Sequence, residues 1–596
     1  IMSNGRRFYR NLMASLLLPI LLTFGSEVLN EELTITRLPS GNLAAFFRFV
    51  TSGVDGNFHG ETHLFPPIFV ELINKYGLAE LSLSLTQGNW KTGKWGLPLF
   101  PSSPHGALLH AWLQQNHSTK ETVDCRWSSL VTSLNGLFCT SLSSAFPALS
   151  SDLPVDAPPH PPGPSENLLL RQAQLAEETV CTENLTPFRK LLPCKQSGLV
   201  SLLNPFRIYD SAFHSMAFRV YRTCTGDAQV CQTPTWNIDW AAAVVFDLPV
   251  KYRSVDWSLD ILFGRSISKV CAAANSSTLI VNDDHFEPTF EKTANATVKR
   301  GPSIYHQFDL KATKEASTNF VAKYKERSLP LDRRVKQLQT VSLAASVLGG
   351  EASRSGVLQF SAHSSLPGTR RVRVAASVPW FAELHFASVQ LVCHDEKGTE
   401  FSPLVFRRFF LPALRRLRPA HIEYEFEMST NSYCSLSVGF DRVFMRLGEY
   451  PSDANHGKYL PPAALAVLDG EGRLPLLAWS GPLLLALPVP DFSMPFNVEA
   501  FVCIVVSLCF TPLLNYTAYI LLPCGQTHPL PSLSRRLLRV FLLVVTSASL
   551  YAEYSGINPS QLMRYGRKAV HAATEAINKT IFFPDPVPPL RPGIAQ

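Results

Sequence analysis

The chain has 596 residues, of which 46% are hydrophobic and 17% charged, and its formal net charge is +7. This composition is too apolar for a disordered protein and too polar for a transporter with many membrane spans. Lys and Arg are scattered along the chain, so it lacks the basic stripe that a nucleic-acid-binding protein needs. We therefore expect folded domains with one or two membrane segments and no nucleic-acid partner.

Residues 1–26 predict a secretory signal peptide. Three arginines precede an apolar run, Leu12 to Phe24, and the small residues Gly25 and Ser26 follow it. A basic start, a short apolar run and a small-residue cleavage point are typical of such signals. An uncleaved signal anchor is the alternative that this pattern leaves open.

Residues 27–490 predict a mainly β, sandwich-like ectodomain with a few helices. Apolar and polar residues alternate over 81–85, as in a strand with one buried face. Similar runs lie at 242–248, 279–281, 372–378, 387–392 and 422–426, between turns rich in Gly, Pro, Asn and Asp. We place two β-rich lumenal domains at 27–250 and 251–490.

Two helices and one loop are predicted within the first of these domains. A helix over 66–76 begins with prolines and ends at Gly77, which suits a helix C-terminus. A second helix, over 123–134, places four apolar side chains on one stripe. Residues 141–165 are rich in Ser and Pro and predict an exposed loop.

A transmembrane helix is predicted over 498–522. Residues 500–522 carry no charge and are numerous enough to cross a bilayer. Arginines soon after this run indicate that the tail, residues 523–596, is cytosolic. The apolar run at 540–552 is shorter and predicts a helix in the membrane interface, although a second span there stays open.

The cysteine count is consistent with an oxidising compartment. Nine cysteines precede the predicted span: Cys125, Cys139, Cys181, Cys194, Cys224, Cys231, Cys271, Cys393 and Cys434. Because nine is odd, one is expected to be free or bonded to another chain. Cys224 and Cys231 flank a short turn and predict a local disulfide. Cys125 with Cys139 is a further candidate pair, although the sequence does not fix its connectivity.

Four sequons for N-glycosylation fall in the same region, at Asn116, Asn184, Asn275 and Asn295. Asn184 is the weakest candidate, because Pro187 directly follows its sequon and disfavours the backbone geometry that the modifying enzyme needs.

The familiar catalytic motifs are missing. The sequence contains no nucleophile elbow, zinc-binding helix motif, phosphate-binding loop or dinucleotide fingerprint. The acidic run at 283–287 and the Cys-His-Asp-Glu run at 393–396 are predicted to be turns, the second beside a disulfide cysteine, rather than metal sites. Cys181 as a nucleophile is the remaining enzymatic hypothesis, but no His can be chosen as its base. We expect no metal, no cofactor and no catalytic residue.

Ordered segments along most of the chain are similar to one family. They are residues 32–41, 46–49, 63–66, 83–88, 135–139, 180–187, 190–194, 449–451, 455–457 and 490–498. The most specific reads Val-Cys-Thr-Glu-Asn-Leu-Thr-Pro over 180–187. The chain resembles the PIG-T family of the GPI-anchor transamidase complex. The loop at 141–165 and the sequence after residue 540 depart from the family pattern.

The resemblance implies a structural subunit of an endoplasmic-reticulum membrane complex. That complex cleaves a C-terminal signal from a precursor protein and joins the new end to a GPI lipid. The resemblance implies that the catalytic subunit is another chain, PIG-K, and that further membrane subunits are partners. The cysteine that bonds covalently to PIG-K in this family corresponds to Cys181. The odd cysteine count independently calls for one such residue.

Two other classes of function stay open on the sequence alone. A secretory-pathway hydrolase using Cys181 would show turnover as an isolated ectodomain. A single-span adhesion or receptor protein would reach the cell surface and carry complex-type glycans. A subunit of a complex resident in the endoplasmic reticulum would do neither.

Overall fold

The structure is a computed structural model that describes part of the chain. The described residues are 27–55, 62–99, 102–115, 120–142, 168–225, 233–251, 256–267, 269–282, 289–291, 293–300, 303–312, 319–324, 338, 340–349, 354–451, 453–468, 476–489 and 493–520. The predicted signal peptide at 1–26, the predicted tail at 523–596 with its run at 540–552, and residues 143–165 of the Pro-rich segment lie outside them.

The fold is mainly β, which confirms the predicted class. The strands are β1 Val28–Arg37, β2 Leu43–Asp55, β3 Leu78–Gln87, β4 Gly106–Gln114, β5 Leu168–Leu175, β6 Phe213–Thr225, β7 Thr233–Phe246, β8 Trp257–Ser258, β9 Ser276–Asn282, β10 Thr289–Phe290, β11 Ala296–Arg300, β12 Ser303–Asp309, β13 Val321–Lys323, β14 Val341–Leu348, β15 Ser355–Ser364, β16 Arg370–Val378, β17 Ala382–His394, β18 Glu400–Phe401, β19 Val405–Leu411, β20 Ala420–Met428, β21 Ser432–Arg442, β22 Lys458–Leu460, β23 Ala464–Leu468, β24 Leu476–Trp479 and β25 Leu483–Leu485. The helices are α1 Pro67–Tyr76, α2 Thr92–Trp95, α3 Lys120–Phe138, α4 Thr182–Leu191, α5 Pro205–Ile208, α6 Leu248–Lys251, α7 Leu259–Phe263 and α8 Ser493–Ile520. Short 3₁₀ helices cover Gly198–Leu202, Leu447–Glu449 and Ala454–His456.

A ten-stranded sheet organises the first half of the ectodomain, in the order β11-β12-β9-β1-β2-β7-β6-β3-β4-β5. The alternating run predicted as a strand is the centre of β3, where Leu83 lies opposite Phe218 of β6 and Leu109 of β4. All three side chains are buried in one large core. Helices α1, α3 and α4 contribute buried residues to that core, so they cover this face of the sheet.

Both predicted helices of the first domain are confirmed. Gly77 ends α1 in the left-handed conformation, with φ 64°, and its N–H donates to the carbonyl of Ile73 at 2.9 Å. Helix α3 extends beyond the predicted range of 123–134 at both ends. Its four predicted stripe residues, Val123, Trp127, Leu130 and Leu134, are buried.

The predicted boundary between residues 250 and 251 does not coincide with the edge of the first sheet. Strand β9 lies beside β1 in parallel, with Leu279 opposite Leu33, and β12 and β11 follow it in the same sheet. Residues as far as Tyr324 pack into the same core. A parallel pair needs a long crossover connection, which leaves no local pattern that marks the pairing.

Residues 341–485 form a β-sandwich, the architecture that the sequence predicted for residues 27–490 as a whole. Its two five-stranded sheets have the orders β14-β15-β21-β17-β18 and β19-β20-β16-β23-β24 and share one core. This sandwich packs on the ten-stranded sheet near Trp479, which contacts Leu108 and Ala464. The indole N–H of Trp479 also donates to the carbonyl of Ser102 at 2.7 Å.

Helix α8 covers residues 498–520 of the predicted membrane span. It has 28 residues, so it is about 42 Å long and exceeds the thickness of a hydrocarbon core. Residues Asn497–Leu514 are apolar enough to cross a membrane, and their side chains are exposed. Residues 521 and 522, at the end of the predicted span, lie outside the described residues.

Two glycines give a matched test of the first sheet and its helical cover. Gly106 begins β4 with φ 90°, and a Cβ there would overlap the carbonyl oxygen of Leu175 on β5. Gly136 lies within α3, where a Cβ would meet no atom within 4 Å. We expect Gly106→Ala to reduce the free energy of unfolding by about 1–3 kcal/mol. We expect Gly136→Ala to increase the free energy of unfolding by about 0.5–1 kcal/mol.

Urea unfolding of the detergent-purified full-length variants measures both effects. A shift of the midpoint in the same direction for the two variants would contradict the assigned backbone conformations.

Candidate interaction site around Cys181

Cys181 is the N-cap residue of helix α4. Its backbone is extended, with φ −131° and ψ −179°, and its N–H donates to the side-chain Oδ1 of Asn184 at 2.7 Å. This bond from the third helical residue back to the cap satisfies one backbone donor at the helix start. The thiol is free and half-buried. The first turn of α4 therefore presents a thiol on a fixed backbone.

The amide of Asn184 also joins α4 to the end of α3. Its Nδ2 donates to the carbonyl oxygens of Phe138 at 2.7 Å and Cys139 at 3.1 Å. The side chain is buried, with 1% of its surface exposed. One amide therefore provides hydrogen-bond partners for backbone groups at the start of α4 and the end of α3.

Tyr209 holds the carbonyl group of Cys181, on the side away from the N–H that Asn184 holds. Its hydroxyl donates a short hydrogen bond to the carbonyl oxygen of Cys181. Burial, and secondarily the proximity of Cys181, raise the pKa of Tyr209 well above its usual value. The phenol therefore stays protonated, and able to donate, throughout the physiological pH range.

The inner face of α4 is anchored in the core. The ring of Phe188 meets that of Trp240 edge to face, with centroids 5.0 Å apart. Beyond the helix, Cys194 forms a disulfide with Cys271, 77 residues later in the sequence. Closing a loop of that length removes chain entropy from the unfolded state equivalent to about 4–5 kcal/mol in the simplest treatment.

A buried carboxylate supports the segment that follows this disulfide. Glu31 of β1 accepts hydrogen bonds from the hydroxyl of Ser277 on β9 and from the N–H of Leu199, the latter at 3.2 Å. Burial raises the pKa of Glu31, and these two hydrogen bonds oppose that effect. Gly198 has φ 60° and lies so close to Glu31 and Cys271 that no side chain fits there. The backbone at Gly198 is therefore closely packed against Glu31 and Cys271.

The described cysteines partly match the sequence predictions. Cys393 and Cys434 form a disulfide between β17 and β21, so the prediction of a disulfide cysteine beside the turn at 393–396 is confirmed. The turn is closed by the N–H of Gly398, which donates to the carbonyl of Asp395 at 2.8 Å. Cys224 is in a disulfide, but Cys231 lies outside the described residues, so their pairing stays a prediction.

The candidate disulfide between Cys125 and Cys139 is wrong. Both thiols are free and exposed. Cys125 lies near the start of α3 and Cys139 directly follows its end. Fourteen residues of helix separate them by about 20 Å, far beyond the reach of a disulfide.

The four sequons lie in different environments. Asn275 and Asn295 are exposed, while Asn116 lies outside the described residues. Asn184 is buried, and its Nδ2, the atom that a glycan would occupy, donates both of the hydrogen bonds that join α4 to α3. This geometry argues against a glycan at Asn184 in the folded protein. The sequence signal for its actual role is the three-residue spacing from Cys181, which is that of a capping box.

The described part of the chain contains no group of three or more His, Cys, Asp or Glu residues that could hold a metal ion. The acidic run at 283–287 lies outside it.

Comparisons with known proteins agree on one family. The family model described as Gpi16 subunit, GPI transamidase component, matches residues 13–251 and 246–523. The GPI-anchor transamidase component PIGT of Mus musculus is 32% identical over 536 residues, covering 82% of this chain and 89% of the relative. The GPI transamidase component GPI16 of Saccharomyces cerevisiae is 26% identical over 553 residues, covering 82% and 87%.

Solved structures add little. An exo-β-N-acetylglucosaminidase from Vibrio harveyi is 12% identical, and the match covers 25% of this chain and 19% of that one. Its TM-score of 0.16 is too low to support an argument about fold or function.

The role of Asn184 can be separated from that of its sequon. Asn184→Ala and Thr186→Ala both destroy the sequon, but only the first removes the bonds to Cys181, Phe138 and Cys139. We expect Asn184→Ala to reduce the free energy of unfolding by about 2 kcal/mol or more, because buried backbone groups lose their partners. Thr186→Ala, in an exposed position, should change it by less than about 0.5 kcal/mol.

The measurement is urea unfolding of the full-length variants, with glycopeptide mass spectrometry of the wild type. Equal destabilisation by the two substitutions, or a glycan found on Asn184, would contradict the capping role.

Proposed function

Since the chain belongs to the Gpi16 family of GPI transamidase components, we propose that it is a non-catalytic structural subunit of that complex. In this role it stabilises the complex and holds the catalytic, cysteine-protease-like subunit PIG-K by a disulfide through Cys181. The other membrane subunits of the complex are further partners. The precursor protein and the GPI lipid are substrates of the whole assembly.

The observation that carries this proposal is the state of Cys181. Its thiol is free and half-buried, while its N–H and its carbonyl are both held by side chains. A thiol on a fixed backbone loses little freedom when it is bonded to a partner. The lumen of the endoplasmic reticulum supplies the oxidant that removes two electrons and two protons from the pair of thiols. The resulting bond converts association into an intramolecular event, so that dilution no longer separates the subunits.

A scaffold role is supported by what the ectodomain offers chemically. The amide of Asn184 and the phenol of Tyr209 hold the backbone N–H and carbonyl of Cys181, and neither group is a base that could activate the thiol. The deepest parts of both halves are apolar cores. These features suit a rigid support better than a hydrolase.

We place the protein in the membrane of the endoplasmic reticulum, with the ectodomain in the lumen and the C-terminus in the cytosol. Within the described residues, α8 is the one helix that is long and apolar enough to cross a membrane, and it supports one span. Arg535, Arg536 and Arg539 follow it in the sequence and favour a cytosolic tail.

Non-reducing electrophoresis tests the disulfide. Full-length protein extracted from membranes should run in a band of higher mass that contains PIG-K and disappears on reduction. We expect Cys181→Ser to abolish this band. Cys125→Ser and Cys139→Ser are matched controls, because both remove a free and more exposed thiol. These two controls should leave the band at its wild-type intensity.

If the band persists in Cys181→Ser, or depends on either control cysteine, the covalent link through Cys181 is wrong. The family assignment would survive that result, since it rests on the sequence comparison.

Glycan processing tests the location. The exposed asparagines Asn275 and Asn295 should carry glycans that remain fully sensitive to endoglycosidase H at steady state. The variants Asn275→Gln and Asn295→Gln should each remove one glycan from the mass of the protein. Resistant, complex-type glycans would instead indicate a surface adhesion protein or receptor.

A further inference from the structure

A cleft of about 570 Å³ opens beside the C-terminal half of α4. The residues that line it are Arg189, Gln196, Ser201, Asp260, Arg265 and Ser266. They come from α4, from the segment around the 3₁₀ helix Gly198–Leu202, and from α7 and the residues after it. The volume suits a side chain or a short peptide segment.

Two arginines give this cleft an uncompensated positive charge. The Nε of Arg189 is buried and has no hydrogen-bond partner among the described residues. Burial, and then the nearby charge of Arg265, lower the pKa of Arg189. Arg265 is exposed at the rim. Two like charges placed together around a buried, unpaired donor are unfavourable unless an anion joins them.

The acid in the cleft does not supply that anion. Asp260 lies in the first turn of α7, where its Oδ2 accepts from the amide of Asn319 at 3.3 Å and its N–H donates back to Asn319. No ion pair joins it to Arg189 or Arg265 within 4 Å in the described chain. Counting both arginines and Asp260, the lining carries a net charge of about +1. One carboxylate would neutralise the net charge of the lining, whereas a phosphate dianion would leave the cleft with a net negative charge.

The position of the cleft indicates what the carboxylate belongs to. Arg189 lies eight residues after Cys181 on the same helix, or about 12 Å along its axis. Successive residues turn by about 100°, so these two residues are only about 80° apart around the helix. A chain bonded to Cys181 can therefore reach the mouth of the cleft.

We propose that an acidic segment of the subunit bonded at Cys181 inserts a carboxylate between Arg189 and Arg265. This inference rests on the proposed function. A guanidinium binds a carboxylate through parallel N–H donors, which gives direction as well as attraction. The ion contact aligns the partner before the thiols react, and the disulfide then fixes that alignment. Charge complementarity of this kind acts mainly on the rate and the orientation of encounter.

The test follows the formation of the disulfide in cells that express the whole complex. Full-length chains are pulse-labelled, and the interchain band is followed by non-reducing electrophoresis. We expect Arg265→Gln to slow the appearance of the band several-fold, and Arg189→Gln with Arg265→Gln to slow it about tenfold or more. Arg189→Lys keeps the charge and should retain most of the wild-type rate.

Lys299→Gln is the matched control, because it removes an exposed cation from β11. It should leave the rate unchanged. Arg265 is exposed at the rim, so its substitution does not disturb the core. An unchanged unfolding temperature of the purified Arg265→Gln protein separates a loss of docking from a loss of folding.

The outcomes distinguish this inference from the proposed function. If the wild type forms no interchain band, the proposed disulfide fails and this inference fails with it. If the band forms at equal rates in the wild type and the arginine variants, the inference alone is overturned. A normal rate combined with weaker binding of GPI lipid by the complex would also overturn it, and would assign the cleft to a lipid anion.

Discussion

The carboxylate of Glu31 lies where three separate parts of the chain meet. It belongs to β1, accepts a hydrogen bond from Ser277 on β9, and accepts another from the N–H of Leu199 in the 3₁₀ helix. Gly198 also lies beside Glu31, and it packs against the Cys194–Cys271 disulfide. Helix α4 runs directly into that disulfide, so the placement of Cys181 depends on a polar contact buried beneath it. Burying a carboxylate is unfavourable unless its oxygens are satisfied, which is why this contact requires its hydrogen-bond donors.

Local sequence patterns were sufficient to predict the helices and strands whose signals lie close together in the sequence. Alternation over 81–85 predicted β3, and the prolines at 66 and 67 followed by Gly77 predicted the limits of α1, since each signal lies within a short stretch of sequence. The sandwich was likewise predictable from short runs between turns. The pairing of β9 with β1 could not be predicted, because the register of this parallel pair depends on residues about 246 positions apart. For the same reason, no local pattern showed that the first sheet continues beyond residue 251.

The candidate site was only partly visible in the sequence. Cys181 could be singled out through the family motif, and the odd cysteine count required some unpaired thiol. The structural role of Asn184 was missed, because its sequon suggested a glycan and drew attention away from the capping-box spacing between Cys181 and Asn184. Arg189 and Arg265 are 76 positions apart and belong to unrelated patterns, so their juxtaposition appears only once the chain is folded. Residues that act through tertiary contacts are generally invisible to a reading of local sequence.

The parallel pairing of β1 and β9 also sets an order of events during biosynthesis. Strand β1 is synthesised first, yet its second neighbour follows about 246 residues later. At translation rates of roughly 5–20 residues per second, that edge stays open for about 12–50 s. Through that interval a strand edge with apolar side chains is available to any passing chain. The nascent chain therefore needs sustained protection by chaperones, and a ribosome that stalls before residue 276 leaves a product that cannot complete its sheet.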